Sequence, residues 1–278
     1  MEIRALETAE EYLALEDLER DIWGMPDIEA LPADFMKTIA RNGGVLLGAF
    51  DPQLVGFVFG FPAITEDGRI KHCSHIAGVA RDLQNRDIGY QLKLAQREIV
   101  LAQGIDLVTW TFDPLESRNA RFNFHKLGAI CQTYLHNEYG EMRDALNAGL
   151  PSDRFQVDWL IASDRVERHI RGERLTVLPS ELQSTGVPVI DNAESIPDGM
   201  PGSTERLLIE IPAQFQTLKA ANRDEALRWR MHSRELFEEA FRSGYAATDL
   251  LIENGRSFYL LEQGSGVRGQ ERAFVVPP

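Results

Sequence analysis

The chain has 278 residues, of which 44% are hydrophobic and 26% charged, an ordinary composition for a globular protein. Its formal net charge of −14 argues against nucleic acid or an anionic membrane as the main partner. Two cysteines without a CxxC pair or a His/Cys cluster argue against a disulfide framework and a metal site. No apolar run approaches the roughly 20 residues of a membrane span, and the start does not look like a signal peptide. We therefore expect a cytoplasmic protein.

The first 44 residues predict a strand followed by two helices. Residues 3–6 form the strand, and residues 7–23 form a helix with apolar side chains at helical spacing, namely Tyr12, Leu15, Leu18, Ile22 and Trp23. Pro32 suits the first turn of a second, shorter helix that runs to Ala40.

Three strands and a long helix follow. Residues 45–50 and 54–61 are typical of a β-hairpin, and residues 70–80 of a third strand. The helix over 88–103 is amphipathic, and the pattern predicts a buried stripe of Leu92, Ala95, Ile99 and Ala102. Residues 105–112 predict a buried strand that Pro114 ends.

The middle of the chain predicts a helix over 118–127 and strands over 129–135 and 154–161. The intervening segment 136–153 is too long for a plain hairpin loop. Its aromatic and charged residues fit either a pocket for an acceptor substrate, which we favour slightly, or a flap exposed to solvent.

The rest of the chain reads as a linker and a second small segment. We assign residues 1–163 to a first domain, 164–204 to a Pro- and Gly-rich linker and 205–278 to a small C-terminal α/β segment. That segment could form a further layer or an arm that completes a partner's site, so a homodimer is allowed.

The stretch VARDLQNRDIG, residues 79–89, joins the third strand to the long helix. Backbone N–H groups that turn into a helix N-terminus suit an anion such as a phosphate. Glycine would let the backbone approach closely, but Asp87 stands at the central position. Asp tolerates the left-handed conformation, and we expect its carboxylate to cap its own helix and leave the amides free.

Together with the order of elements over 1–161, this stretch resembles the GNAT acyltransferases, which use acetyl-CoA. Their signature V-x-P-x-x-[RQ]-x-x-G-x-[GA] is in register here at Val79, Gln84 and Gly89, and differs at Arg81 and Asp87. The resemblance implies a mixed, mostly antiparallel sheet flanked by helices, here with the additional C-terminal α/β segment. It also implies an acetyl-CoA or other acyl-CoA site on the strand and the loop, at Ala77, Gly78, Val79, Gln84, Asn85, Arg86, Asp87, Ile88, Gly89 and Tyr90.

A second GNAT pattern, N-x-x-A-x-x-F-Y-x-K-x-G-F, resembles SRNARFNFHKLGA, residues 117–129. The resemblance implies that Asn119 bonds the amides of the cofactor's pantetheine arm. Phe124 occupies the place of the Tyr that commonly protonates the departing thiolate, so the usual general acid is missing. Phe124 therefore fits a cofactor contact and core packing equally well.

Two further side chains are candidates for proton transfer from an amine. His75 lies on the strand before the loop, facing opposite to Ser74, and has a near-neutral ordinary pKa. It could equally be a buried structural histidine. Asp113 follows the strand over 105–112, where ligands gather in open sheets, but an Asp-Pro turn would also explain it.

The sequence thus favours an acyl-CoA-dependent N-acyltransferase that acts on a small-molecule amine by direct transfer, with His75, Asp113 and Asn119 as candidate catalytic residues. Two alternatives remain. Asp87 and Phe124 favour a non-catalytic relative that binds a CoA-type ligand or a protein partner. The second alternative is a structural subunit without either ligand.

Overall fold

The computed structural model describes residues 1–24, 30–142, 148–190 and 204–263, which form two compact units. Unit 1 takes Met1–Thr111, Glu141–Gly149 and Leu160–Ala162, and unit 2 takes Phe112–Gly140, Leu150–Trp159 and Ser163–Pro278. These units differ from the predicted domains, because residues 112–140 group with the C-terminal segment. The reason is a strand pairing that places Cys131 opposite Ala247.

Among its described residues, unit 1 contains five strands and three α-helices, besides a short 3-10 helix over Arg81–Leu83. They are β1 (Glu2–Ala5), α1 (Ala9–Trp23), α2 (Ala33–Arg41), β2 (Val45–Phe50), β3 (Leu54–Ile64), β4 (Ile70–Val79), α3 (Ile88–Ala102) and β5 (Leu107–Phe112). The strand order is β1-β2-β3-β4-β5, with β1 to β4 antiparallel and β5 parallel to β4. A parallel pair needs a long crossover, and α3 supplies it.

Local signals fix the first helix of unit 1. Thr8 accepts a hydrogen bond from the N–H of Glu11, and the Glu11 side chain accepts from the Thr8 N–H, a reciprocal cap. Gly24 ends α1 in the left-handed conformation, with φ 62°. The helix buries Leu15, Leu18 and the other apolar side chains of its inner face against α2, β2 and β3.

Unit 2 contains five helices, one turn of π-helix and six strands among its described residues. They are α4 (Ser117–Arg121), the π-turn (Phe122–Lys126), β6 (Ile130–Leu135), β7 (Arg154–Leu160), α5 (Asp164–Ile170), α6 (Pro179–Ser184), β8 (Val189–Ile190), β9 (Arg206–Ile211), α7 (Phe215–Ala221), α8 (Arg223–Arg242), β10 (Tyr245–Glu253) and β11 (Arg256–Gln263). The strand order is β7-β6-β10-β11-β9-β8, antiparallel except for the parallel pair β8 and β9.

The predicted linker over 164–204 contains secondary structure where it is described. It holds α5, α6 and β8, and residues 191–203 lie outside the described part of the chain. The end of the predicted C-terminal segment, residues 264–278, lies outside it as well.

Aromatic side chains form the core of unit 2. The Phe155 ring centroid lies 4.8 Å from that of Phe237 and 5.5 Å from that of Tyr259. Tyr259 also donates a hydrogen bond of 2.7 Å to the carbonyl of Pro114. A buried tyrosine hydroxyl needs such an acceptor, so this bond fixes the chain that follows β5.

The predicted fold class is confirmed. Both units combine a mostly antiparallel set of strands with flanking helices, and the C-terminal α/β segment is present. Across the described ranges no helix is both long and apolar enough to cross a bilayer.

Candidate functional site

Strands β4 and β5 of unit 1 pair over two residues near their starts and then separate. Among the described residues, their pairing consists of His72 with Val108 and Cys73 with Thr109. Strand β4 continues for six more residues, 74–79, of which residues 76–79 pair with β3 on their other side. We call residues 74–79 the open edge of β4. An open strand edge offers N–H and C=O groups to an extended ligand that contains amides.

A β-bulge marks the start of the open edge. Phe59 pairs with Ile76, whereas Phe61 pairs with Cys73, so β4 has one extra residue between these positions. Bulges bend a strand and are common beside active sites. Further along, a Cβ at Gly78 would come within 2.6 Å of the Trp23 ring, so glycine is needed for α1 to pack there.

The loop after the open edge has an unusual backbone. Asn85 and Asp87 both adopt positive φ, at 67° and 58°. Non-glycine residues rarely do so, and such strain concentrates at ligand sites. The first N–H donated within α3 is that of Gln91, to the carbonyl of Asp87. The N–H groups of Ile88 and Gly89 precede it at the positive end of the helix dipole, as an anion site requires.

Asp87 confirms one expectation and contradicts another. Its backbone takes the left-handed conformation at the N-cap position, as its residue type allows. Its side chain makes no capping hydrogen bond, however, so the prediction that the carboxylate caps α3 is wrong. The cause is the backbone itself, because side-chain caps normally require an extended N-cap residue.

Neighbouring side chains of the loop support its shape. The guanidinium of Arg81 donates bonds of 3.1 and 3.0 Å to the carbonyl of Ile22, which ties the loop to the end of α1. Gln84 donates 3.3 Å to the carbonyl of Val79. Arg86 is exposed. A Cβ at Gly89 would meet only Val79, at an ordinary 3.7 Å, so packing within the protein does not demand glycine there.

His75 lies on the exposed side of β4, opposite to the buried Ser74, as strand alternation predicts. Its ring lies 6.3 Å from that of Phe59 and 6.1 Å from that of Phe61, centroid to centroid. Ala77 is exposed as well. His75 is therefore accessible from solvent beside the open edge.

Sequence reasoning missed a buried polar network on the opposite face of β4. Lys93 on α3 donates 2.8 Å to the Ser74 hydroxyl and 3.1 Å to the Gln96 amide oxygen. The Gln96 amide nitrogen lies 3.1 Å from Nε2 of His72. The ammonium also lies 3.9 Å from the centroid of the Trp110 ring. The buried face of α3 thus runs through Leu92, Gln96 and Val100, and the predicted stripe is wrong because Ile99 and Ala102 are exposed.

Burial shifts the titration of this network. Desolvation lowers the pKa of Lys93 to about 7. Desolvation and the nearby Lys93 charge lower the pKa of His72 to about 4. His72 is therefore neutral near pH 7, and its Nε2 accepts the hydrogen bond from Gln96.

Asp113 of unit 2 takes part in a buried ion-pair network. Its Oδ2 lies 2.5 Å from Nη2 of Arg230, which is 1% exposed, and 4.0 Å from Arg154. Asp113 also accepts from the N–H of Leu115, as the Asp-Pro turn predicts. A carboxylate held in this way is better suited to structure than to proton transfer.

The segment 136–153 contributes a second buried carboxylate to unit 2. Asp153 accepts a bidentate pair of bonds from Arg234, at 2.9 and 2.7 Å, and one of 2.8 Å from the Tyr134 hydroxyl. Its Oδ1 also accepts from the N–H of Asn137. The described part of the segment is therefore anchored at Asp153.

Asn119 and Phe124 lie on the short helix of unit 2 and its π-turn. Asn119 is exposed, and its side-chain oxygen accepts a bond of 3.3 Å from Asn123. Phe124 has no exposed surface and packs 5.9 Å from Phe112 and 5.7 Å from Tyr259. The structure thus favours core packing over a cofactor contact for Phe124.

One buried carboxyl of unit 1 also escaped the sequence analysis. Glu19 on α1 is 0% exposed and accepts a bond of 3.1 Å from the N–H of Leu31. Burial raises the pKa of Glu19 to about 7. Its neighbour Glu16 accepts from the N–H of Ala33, the first residue of α2. Both glutamates therefore help to fix the start of α2.

No family model and no curated protein matches the sequence. Solved structures are similar to it over about three fifths of the chain. The acetyltransferase of the GNAT family from Streptococcus pneumoniae is 16% identical with a TM-score of 0.45, over 56% of this chain and 97% of the other. The ribosomal-protein-S18-alanine N-acetyltransferase from Escherichia coli is 14% identical with a TM-score of 0.45, over 58% and 93%. Aminoglycoside 6'-acetyltransferase type Ii is 19% identical with a TM-score of 0.46, over 58% and 97%.

The chain is similar to GNAT acetyltransferases, as its motif and its order of elements predict.

Proposed function

We propose that the protein is an acyl-CoA-dependent N-acyltransferase that acts on a small-molecule amine. The observation that carries this proposal is the separation of β4 from β5 after Cys73 and Thr109, directly before a strained loop at the N-terminus of α3. Coenzyme A contains an amide-bearing pantetheine arm and a diphosphate. The open edge suits the arm, and the loop suits the diphosphate.

The residues present fit such a ligand. Residues 84–87 of the loop are exposed, and Gly89 leaves room above the first turn of α3. Arg86 is available to a phosphate as an exposed guanidinium. The local charge is mixed, because Asp82 and Asp87 are exposed beside it. Backbone amides therefore have to supply most of the anion binding.

The thioester of an acyl-CoA would supply an activated acyl group. An amine would attack its carbonyl without a covalent enzyme intermediate, forming the amide as the C–S bond breaks and CoA leaves as the thiolate. A backbone N–H of the open edge near Gly78 and Val79 would polarise the acyl carbonyl. His75, accessible beside that edge, is our choice to accept the amine proton, directly or through water. Asp113 is the weaker choice, because Arg230 already pairs with it. Asn119 is exposed, and its contact with the pantetheine amides stays a prediction of the resemblance.

Calorimetric titration with acetyl-, succinyl- and longer acyl-CoAs tests the binding half of the proposal. We expect micromolar binding and competition by free CoA. Absence of both heat and competition for every acyl-CoA would overturn the proposal. Release of free thiol over a panel of small amines and short peptides tests the acceptor class.

A non-catalytic CoA-binding module is the second candidate, because Phe124 offers no proton where a general acid is usual and its ring is buried. Tight binding without thiol release over the whole panel would favour this candidate. Turnover with peptides but not with small amines would correct the acceptor class instead.

Substitution of Asp87 tests where the diphosphate binds. Asp87→Gly and Asp87→Asn both remove a carboxylate from the loop and both tolerate the left-handed backbone. A charge about 4 Å from a phosphate in water costs about 1 kcal/mol, so we expect both variants to bind acyl-CoA about five times more tightly. Titration of the two variants beside the wild type measures this change. Weaker binding of both variants would show that the carboxylate supports the loop.

A further inference from the structure

Lys93 contacts both strands at the place where they part. The last paired residues are Cys73 on β4 and Thr109 on β5, and the next residues along are Ser74 and Trp110. The Lys93 ammonium lies 2.8 Å from the Ser74 hydroxyl and 3.9 Å from the centroid of the Trp110 ring. Lys93 is only 4% exposed.

A buried ammonium group at this place needs a reason. Burial of a cation is costly, and an apolar side chain of similar length would fill the same space without that cost. The groups that contact the ammonium include a hydroxyl, an amide oxygen and an aromatic face. All three attract a cation more strongly when water is absent. They therefore favour one fixed position of the ammonium group.

The same contacts also fix the bulge in β4. The Ser74 hydroxyl accepts from Lys93 and donates 3.0 Å to the Gln96 amide oxygen, so both of its hydrogen-bonding roles are used. Ser74 lies within the stretch where β4 has its extra residue relative to β3. On the other strand, the cation–π contact holds the Trp110 ring over the ammonium. Movement of either strand toward the other would disturb both contacts.

We propose that Lys93 is a positioning residue that holds β4 and β5 apart and thereby keeps the open edge of β4 available to the acyl-CoA. The identity of the ligand in this inference rests on the proposed function, whereas the expected effect of Lys93 on the two strands of the free protein does not. Without the cation, β5 is expected to extend its pairing along β4 and to cover residues 74–79.

The titratable groups beside Lys93 of α3 are His72 and Cys73, which both lie on β4. His72 is joined to the network through Gln96. Burial raises the pKa of Cys73, so its thiol stays neutral near pH 7. His72 is neutral there too, because its pKa is about 4. Lys93, with its pKa lowered by burial to about 7, is the member of this group that changes charge near neutral pH.

Hydrogen–deuterium exchange of the free protein is the first test. The amides of residues 74–79 that point away from β3 should exchange rapidly in the wild type and about tenfold more slowly in Lys93→Met. Lys93→Arg, which keeps the cation, should retain much of the wild-type rate. Gln91→Met on the exposed side of α3 is the matched control and should leave the rate unchanged. Equal exchange in Lys93→Met and the wild type would overturn the proposal.

Titration with acetyl-CoA between pH 6 and pH 8.5 is the second test. We expect Lys93→Met to bind at least about tenfold more weakly at pH 6.5, and the ratio of the two dissociation constants to shrink above pH 7 as Lys93 of the wild type loses its charge. A ratio that is unity, or constant over this range, would contradict the positioning role. If Lys93→Met does not fold, Ser74→Ala replaces it. We expect Ser74→Ala to bind acetyl-CoA more weakly than the wild type, by a smaller factor than Lys93→Met. Unchanged affinity in Ser74→Ala would contradict the positioning role. If the wild type binds no CoA at all, the proposed function fails, and the exchange experiment still decides the role of Lys93.

Discussion

Replacing Asp113 by alanine is expected to lower the free energy of unfolding by about 3–5 kcal/mol, the usual cost of breaking a buried ion pair by removing one partner. Arg230 would keep its charge while 1% exposed, and would lose the carboxylate that lies 2.5 Å from its Nη2. Within the described part of the chain, its Nε and Nη1 have no hydrogen-bond partner, so these residues would not replace the lost bond. Urea unfolding, followed by the fluorescence of the buried Trp159, measures the change.

The double variant Asp113→Leu with Arg230→Met is the control for this experiment. It removes both charges and retains apolar volume, so we expect it to be more stable than Asp113→Ala. A loss of less than about 0.5 kcal/mol in Asp113→Ala, as is usual for a surface substitution, would show that the ion pair is not a structural element of unit 2. Asp113 would then be released for the proton-transfer role that the sequence suggests.

The stability of the protein is expected to rise with pH between pH 7.5 and pH 8.5. Burial lowers the pKa of Lys93 from 10.5 to about 7, so in this window the folded protein has lost a proton that the unfolded chain still binds. Stability rises with pH wherever the unfolded state binds more protons. A single group contributes up to about 1.4 kcal/mol per pH unit. Below pH 7 this contribution levels off, because Lys93 is then protonated in both states.

Lys93→Met should abolish most of this slope, because methionine does not titrate. The window avoids Glu19, whose pKa is raised to about 7 by burial and whose effect has the opposite sign between pH 4.5 and pH 7. It also lies below the ordinary pKa of 9.0 of Cys73. Urea unfolding at pH 7.5, 8.0 and 8.5 measures the slope for both proteins. An equal slope in the variant would assign the pH dependence to other groups.

Apolar spacing and turn residues predicted most of the elements, because strands β2 and β3 and helix α1 owe their existence to local patterns. The buried face of α3 was beyond this approach. A lysine and a glutamine three residues apart look like a solvated face, whereas Lys93 and Gln96 are buried by their partners on β4 and β5. The sign of a buried polar network that the sequence did carry was the polar Ser74 on the inner side of a strand.

Contacts between distant parts of the chain set the other limits. Nothing in the spacing of residues pairs Asp113 with Arg230, which follows it by 117 residues. The left-handed backbone of Asp87 followed from its residue type, but the direction of its carboxylate depends on that backbone and could not be deduced. The place where β4 and β5 separate could not be deduced either, since residue types do not encode where a pair of strands ends.

Hydrogen–deuterium exchange with and without acetyl-CoA tests the central claim, that the open edge of β4 and the loop at the start of α3 hold the co-substrate. We predict that saturating acetyl-CoA slows exchange in two places, the outward-pointing amides of residues 76–79 and the amides of residues 85–90. Binding that leaves both stretches unchanged, with protection elsewhere in the chain, would contradict the claim.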